Sequence, residues 1–158
     1  MRAKEFIAEA NIDINKGAGA VPYNADIDYF GLRVKMKPSV WLSLADELTI
    51  DPGTEDRIAK LAQYIKDGGA IGPPWYFVEI PDEWREGDLS KPAKITGHEG
   101  RHRMQAIIKA EGDVPVEVHL LPRGGLRTRD FTPEWIARLN QSIISQRGQQ
   151  VQGPWFAM

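Results

Sequence analysis

Two glycines, two histidines, one glutamate and two arginines stand together in the seven residues 97–103, which read Gly-His-Glu-Gly-Arg-His-Arg. The stretch follows a short apolar run that includes Ala93 and Ile95, and it leads into a helical pattern. A glycine turn that opens a helix presents backbone N–H groups and the positive end of the helix dipole, which favours an anion. Arginine side chains add forked donors for phosphate or carboxylate oxygens. The residue types therefore predict an anion-binding site at the start of this helix.

Three side chains of the stretch are candidates for catalysis. His102 and Arg103 are adjacent, and in the first turn of a helix both can reach one ligand. A histidine can donate a hydrogen bond to a phosphate or move a proton. Glu99 can act as a base on a hydroxyl nucleophile or hold Mg²⁺ through its oxygens. The alternative is structural, with Glu99 capping the helix and the arginines in surface ion pairs.

The spacing of His98 and His102 raises a metal site as a minor alternative. The two histidines are four residues apart, but the order is not His-Glu-x-x-His and Gly100 interrupts the helix between them. The chain has no cysteine and one further histidine, His119, so we expect neither zinc nor thiol chemistry. His98 is expected to contact the phosphate or to support a residue that does.

A glycine–proline turn precedes the strand predicted at 75–80, and it is a candidate second wall of the same pocket. Its residues are Gly72, Pro73 and Pro74. The alternative is that the glycines at 68–69 and this turn serve only to end the preceding helix and reverse the chain.

A basic loop with two glycines is a candidate contact for nucleic-acid phosphates. Its arginines are Arg123, Arg127 and Arg129. A solvated charged loop is the alternative interpretation. Among the five tryptophans, Trp84 lies in a polar segment, and it is the one that we consider for stacking on a base.

Composition limits the class of protein. The chain has 158 residues and a formal net charge of −2, which fits one domain with no overall attraction to nucleic acid. Its apolar stretches are far shorter than the ~20 residues that span a bilayer. Lys4, Glu5 and Glu9 are not typical of a signal peptide. Together with the absence of cysteine, these features favour a cytoplasmic protein with no membrane partner.

Periodicity and turn residues predict the elements that position the site. Strands are predicted at 29–37, 75–80, 93–96 and 114–121, and helices at 2–10, 39–48, 54–67, 101–111 and 132–146. Ser39, Thr54 and Thr132 are the predicted N-caps, the last with a proline at the first helical position. A polar tail is expected after residue 148. This order predicts a small α+β or α/β domain with helices packed on a mixed sheet.

Residues 99–106, Glu-Gly-Arg-His-Arg-Met-Gln-Ala, resemble the Asp/Glu-Gly-x-His-Arg-x-x-Ala signature of the ParB/sulfiredoxin-like family. The segments on either side of the signature also match the order of elements in that family. They are Lys-Pro-Ser at 37–39, a helix ending in glycine, the proline turn, and Val-Pro-Val at 114–116. The resemblance covers residues 37–121, about half of the chain. It implies an α+β fold with a core at 29–121, an N-terminal helix and arm at 1–28, and a basic loop, helix and tail at 122–158.

The resemblance also implies that the signature forms a phosphate cradle. ParB proteins bind CTP there, sulfiredoxin binds ATP, and some members are kinases or have been described as nucleases. By this resemblance Gly100 approaches the phosphate closely, while His102 and Arg103 contact its oxygens and Glu99 takes the acidic position. The other expected members of the cradle are Gly97, His98 and Arg101.

One departure from the family pattern excludes sulfinic-acid reduction by a cysteine nucleophile, because Arg101 stands where sulfiredoxin has its catalytic cysteine. No helix-turn-helix is evident after the core, so ParB-type centromere binding is not expected. We expect an enzyme that binds a nucleotide or nucleic-acid phosphate, with Mg²⁺ as cofactor, and that acts by phosphoryl transfer or phosphodiester hydrolysis. Glu99, His102 and Arg103 are its candidate catalytic residues.

Two alternatives stay open. One is a non-catalytic accessory protein that binds DNA or a nucleotide. The other is a phage structural or partner-binding protein, whose sign would be a homo-oligomer with an interface formed by the 1–28 arm and the tail at Trp155 and Phe156. The N-terminal arm and compact layout resemble small phage-encoded members of the family. For such a protein the expected location is the host cytoplasm.

Overall fold

A computed structural model describes residues 31–45 and 53–156 of the chain. The helix and arm predicted at 1–28 lie outside the described residues, as does the end of the helix predicted at 39–48. Within the described ranges the fold is a mixed α+β structure with four α-helices and one six-stranded sheet. The predicted class, helices packed on a mixed sheet, is confirmed.

The sheet combines parallel and antiparallel strands. Its strands are β1 (Leu32–Met36), β2 (Trp75–Glu79), β3 (Ala93–Glu99), β4 (Val116–Pro122), β5 (Ser142–Ile144) and β6 (Gln150–Gln152). Their spatial order is β1-β4-β2-β3-β5-β6. The pairs β2/β4 and β3/β5 are parallel, and the other three are antiparallel. The central strands β2 and β3 therefore have neighbours on both sides.

The four helices are α1 (Pro38–Leu44), α2 (Thr54–Lys66), α3 (Arg101–Glu111) and α4 (Pro133–Gln141). Helix α2 buries Ile58, Ala62 and Ile65, which recur on one helical face, and it is followed by Gly68 with φ of +86°. Short 3-10 turns occupy Asp82–Glu86 and Thr128–Asp130. No helix in the described part of the chain is long and apolar enough to cross a membrane.

The two faces of the sheet differ. Alternate residues of a strand point to opposite faces, so Tyr76 and Val78 of β2 lie in the main apolar cluster, to which all four helices contribute buried side chains. Trp75, Phe77 and Leu121 form a separate small cluster on what we call the second face. The sheet thus has one face covered by the helices and another with its own aromatic group.

The C-terminal region belongs to the sheet, which corrects the helix predicted to continue to residue 146. Helix α4 ends at Gln141, and the chain continues directly as β5, where Ile143 pairs with Ala93 of β3. Trp155 and Phe156 are also buried in the main cluster, so residues beyond 29–121 contribute to the same core, and these two side chains are not available for the oligomer interface expected of the tail. A distant strand partner overrides the local helical pattern here.

Of the three N-cap residues predicted from the sequence, one is confirmed and two are wrong. The Thr132 Oγ1 accepts a hydrogen bond from the Trp135 backbone N–H at 3.2 Å, so this predicted N-cap is confirmed. Thr54 is the first residue of α2, after Gly53 at the N-cap. Ser39 is not an N-cap, because it lies inside α1 and donates from its backbone N–H and hydroxyl to the carboxylate of Asp113.

Candidate functional site

The junction of β3 and α3 forms the candidate site. Glu99 is the last residue of β3, and Gly100 follows with φ of +125° before the helix begins. A Cβ at Gly100 would lie 2.7 Å from the Cβ of Pro74. Both the positive φ and this close approach require glycine, so the turn depends on Gly100 and on the proline turn packed against it.

Gly97 does not belong to this turn, which corrects the prediction of a turn beginning there. Strand β3 extends to Glu99 rather than ending at 96, and Gly97 pairs with Phe77 of β2. A Cβ at Gly97 would lie 3.1 Å from the Phe77 Cδ2. Its missing side chain makes room for an aromatic ring on the second face, while its phosphate contact stays a prediction.

The first turn of α3 is suited to an anion. It has no capping side chain and no acidic residue, whereas α2 begins with Glu55 and Asp56 and α4 carries Glu134 in its first turn. The backbone N–H of Met104 makes the first α-helical bond, to the carbonyl oxygen of Gly100 at 2.8 Å. The N–H groups before it have no intrahelical acceptor, and they stand at the positive end of an 11-residue helix.

Arg103 is buried and engaged with the protein backbone. Its Nη1 donates to the carbonyl oxygens of Gly72 at 2.7 Å and Pro73 at 3.0 Å. Its Nη2 lies 3.9 Å from the Glu99 Oε1, and the Arg103 side chain is only 8% exposed. Burial lowers the Arg103 pKa from its ordinary value, and the Glu99 carboxylate partly offsets this. The expected exposed phosphate ligand is thus a residue that fixes the proline turn to α3, and its contact with phosphate remains a prediction.

The proline turn adjoins the start of α3, while its role as a wall of a ligand pocket stays a prediction. Gly72 and Pro73 receive the Arg103 hydrogen bonds, while Pro74 packs on Gly100 and its carbonyl oxygen accepts from the His119 N–H at 3.0 Å. All three turn residues are buried. The turn therefore shapes the site from behind and offers little surface to a ligand.

Arg101 and His102 are the partly exposed side chains of the first turn. Arg101 also lies near the hydroxyl of Tyr76: burial raises the Tyr76 pKa well above its ordinary value, and the Arg101 charge acts to lower it. These two residues and the backbone N–H groups are cationic and donor groups at the helix start.

His98 points toward the helical face of the sheet and contacts residues that the sequence did not indicate. Its Nδ1 lies 2.5 Å from the Gln146 Oε1, and its ring meets the Trp41 ring edge-on with centroids 5.6 Å apart. Trp41 in turn stacks on Tyr76 at 5.0 Å and accepts the Tyr76 hydroxyl hydrogen bond at its carbonyl oxygen. Only the tertiary fold brings these groups together, because Gln146 follows β5, 48 residues after His98.

Glu99 is the exposed carboxylate of the site, with 63% of its side chain accessible. In the described part of the chain, no group of three or more His, Cys, Asp or Glu side chains is arranged to hold a metal ion. Mg²⁺ is often bound by one or two carboxylates together with substrate phosphates. A single exposed carboxylate beside an anion site is compatible with that arrangement, and the Mg²⁺ prediction stays open.

The three arginines of the basic loop are not gathered at α3. Arg123 donates its backbone N–H to the Val78 carbonyl oxygen, at the opposite end of β2 from the proline turn, and its guanidinium lies 4.1 Å from the Phe77 ring centroid. Arg127 precedes a 3-10 turn, where its N–H donates to Asp130, and Arg129 is exposed.

Trp84 cannot stack on a ligand in this structure, which corrects the sequence interpretation. It is 2% exposed and packs edge-on against Trp135, with centroids 5.6 Å apart. Its Nε1 donates to the Lys91 carbonyl oxygen at 2.8 Å. The polar sequence around it forms a 3-10 turn that covers the indole.

No family model, curated protein or solved structure matches this chain. The resemblance of residues 99–106 to the ParB/sulfiredoxin-like signature thus remains a prediction. The chemistry of the site has to follow from its own geometry.

Proposed function

We propose that this protein binds a phosphate group of a nucleotide or nucleic acid at the first turn of α3. The observation that carries the proposal is a helix start with a tight glycine turn at Gly100 and neither a capping side chain nor an acid in the first turn. Backbone N–H groups at such a start bind phosphate oxygens without rearrangement. Arg101 and His102, both partly exposed, add donors next to them.

Each arginine or histidine side chain of the proposed cradle has a distinct task. Arg101 supplies charge to the phosphate, and His102 donates a hydrogen bond or a proton. Arg103 holds the proline turn against Gly100 and keeps the helix start in place. This division moves the direct contact from Arg103 to Arg101, the position at which sulfiredoxin has its cysteine.

We further propose phosphoryl transfer or phosphodiester hydrolysis at this site. The exposed Glu99 carboxylate would accept the proton of an attacking hydroxyl or water as the new P–O bond forms, and the bond to the leaving oxygen breaks. His102 is placed to return a proton to the leaving group, and Arg101 to stabilise the charge on the phosphate. The resemblance of residues 99–106 to the ParB/sulfiredoxin-like signature supports phosphate chemistry, with ATP or CTP as the first nucleotides to test.

Binding is tested by calorimetric titration with nucleoside mono-, di- and triphosphates and short DNA, with and without Mg²⁺. Arg101→Gln and His102→Gln should each weaken phosphate binding by about tenfold, the value of one charge-assisted hydrogen bond. Lys109→Gln is the matched control, because Lys109 is exposed in the last turn of the same helix. Equal affinities for wild type and both folded first-turn variants would refute the proposed cradle.

Turnover separates an enzyme from an accessory binding protein. The proposed enzyme releases inorganic phosphate, phosphorylates an acceptor or nicks DNA in the presence of Mg²⁺. Glu99→Gln should abolish that reaction while retaining phosphate binding. Binding without any turnover in wild type would favour the non-catalytic DNA- or nucleotide-binding role.

A further inference from the structure

A guanidinium–aromatic stack lies on the second face of the sheet, away from the α3 site. The Arg123 guanidinium stands 4.1 Å from the Phe77 ring centroid, and Trp75 meets Phe77 edge-on with centroids 4.8 Å apart. Gly97 pairs with Phe77 across the sheet, where any Cβ would press on the ring. Nothing in the proposed phosphate chemistry at α3 requires this stack.

The strand ladder itself positions Arg123. The backbone N–H of Arg123 donates to the Val78 carbonyl oxygen at 3.0 Å, so the residue continues β4 beyond its last paired position. A guanidinium over an aromatic ring is attracted by the ring quadrupole, and the contact holds its plane in place. The stack is therefore a fixed surface on which another planar group can lie.

Arg123 also lines a cavity of about 610 Å³, a volume typical of small-molecule sites. Arg85 lies on its wall and donates from Nη2 to the carbonyl oxygen of Gly124, the residue after Arg123, at 3.2 Å, so two arginines line the cavity. Lys94 lines the same cavity from β3 and is exposed. The cavity is thus lined by Arg123, whose guanidinium lies over the Phe77 ring, and by further cationic donors, while Phe77 itself is not among the lining residues.

Carboxylates in the same cavity narrow the ligand class. Glu83 forms an ion pair with Lys91, while Glu79 and Asp82 are exposed on the wall. A bare polyphosphate would be repelled by these two carboxylates. A nucleobase presents amino and imino donors that carboxylates accept, and its own phosphate suits the arginines. The mixture of charges therefore fits a complete nucleotide unit better than an anion alone.

We propose that this cavity binds an unpaired nucleobase and its phosphate within a single-stranded nucleic acid. The base lies on the Arg123 guanidinium, which Phe77 supports from outside the cavity lining, with its edge toward Glu79 and Asp82 and its phosphate toward Arg85. Stacking on aromatic rings and guanidinium planes is how proteins hold unpaired bases, and a base inside a duplex cannot reach such a surface. Because Lys94 and Arg123 are exposed, the strand can enter and leave along them.

The test uses fluorescence anisotropy with labelled single strands about a dozen nucleotides long. Arg123→Lys keeps the positive charge but removes the planar guanidinium. Phe77→Leu keeps an apolar side chain but removes the aromatic ring. Each should weaken binding by about tenfold, in line with the loss of one stacking interaction. Arg57→Lys is the matched control, an exposed arginine of α2 that does not line the cavity, and should bind as wild type does.

Ultraviolet cross-linking locates the base independently. A cross-link is expected within residues 67–85, the tryptic peptide that contains Phe77, and Arg101→Gln should leave it unchanged because the α3 site is separate. Loss of the cross-link in Arg101→Gln would place the bound base at α3 and overturn the second site. The proposal also fails if wild type binds no single strand, if folded Arg123→Lys and Phe77→Leu proteins bind like wild type, or if duplex or a free nucleoside monophosphate competes as well as a strand.

Discussion

Arg103 and Gly72 are joined by a buried hydrogen bond of 2.7 Å, from the Arg103 Nη1 to the Gly72 carbonyl oxygen. The bond connects the first turn of α3 to the turn that precedes β2, across 31 residues of sequence. Pro74, two residues later, packs on Gly100. The arginine of the signature therefore controls the shape of the helix start before any ligand arrives.

Replacement of Arg103 by alanine should lower the free energy of unfolding by about 2–4 kcal/mol, because buried carbonyls lose a charged donor and a cavity remains. Urea denaturation measures the change. Lys109→Ala is the matched control on the same helix, exposed and expected to stay within about 0.5 kcal/mol of wild type. A stable Arg103→Ala protein that no longer binds phosphate would instead restore Arg103 as a direct ligand.

Replacement of Gly100 by alanine should be among the most destabilising changes at the site. Backbone strain at a positive φ costs about 1–3 kcal/mol, and the contact with Pro74 adds a steric penalty. Gly53→Ala measures the backbone strain alone, since Gly53 also precedes a helix with φ of +91° but a Cβ there meets no atom of the described residues within 4 Å. Thermal melting of the two variants should rank Gly100→Ala well below Gly53→Ala, and equal melting temperatures would show that Pro74 yields to the new methyl group.

The Asp113 carboxylate serves as the cap of α1. It accepts from the Ser39 N–H at 2.9 Å and from the Ser39 hydroxyl at 2.5 Å, while the α1 N-cap residue Lys37 makes no side-chain cap bond. Asp113→Ala should cost about 1 kcal/mol of stability and Ser39→Ala less, because the backbone bond survives. In the double variant the two losses should not add, whereas full additivity in urea denaturation would mean that the residues act independently.

Elements with a strong local pattern were predictable. Helix α2 repeats its apolar residues with helical spacing between a glycine before it and glycines after it, and α3 lies between Gly100 and Gly112. The observed α3 runs over 101–111 as predicted, and strand β4 alternates Val116, Val118 and Leu120 toward the main cluster. In these segments the period of the apolar residues is enough to predict the element, because one side of the helix or strand faces the core and the other faces solvent.

Features that depend on distant partners were not predictable. Strand β3 runs past residue 96 because β2 supplies the backbone partners of Gly97 and His98. The Ser39 N–H, in the first turn of α1, donates to Asp113, which is 74 residues away in sequence. Gln146 lies next to His98 only because the sheet brings their two segments together. The signature at 99–106 was therefore enough to predict where the candidate site lies. The contacts of its side chains could not be predicted, because they depend on residues that are distant in sequence.

His119 lies on the second face with its Nε2 2.7 Å from the Glu117 Oε2, and it is 1% exposed. Burial lowers the His119 pKa below its ordinary value of 6.5, the nearby Arg33 lowers it further, and Glu117 partly opposes both. The unfolded chain therefore takes up a proton at a higher pH than the folded protein does. The stabilising contribution of neutral His119 is complete above pH 6.5 and is lost as the pH falls toward the folded-state pKa.

The difference in unfolding free energy between wild type and His119→Gln measures this effect across the range from pH 8 to pH 4. The stability of wild type relative to the variant should decline below the ordinary histidine pKa of 6.5, with a slope that cannot exceed about 1.4 kcal/mol per pH unit for one proton. A difference that rises on acidification would mean that the Glu117 contact outweighs burial and that folded His119 prefers its charged form.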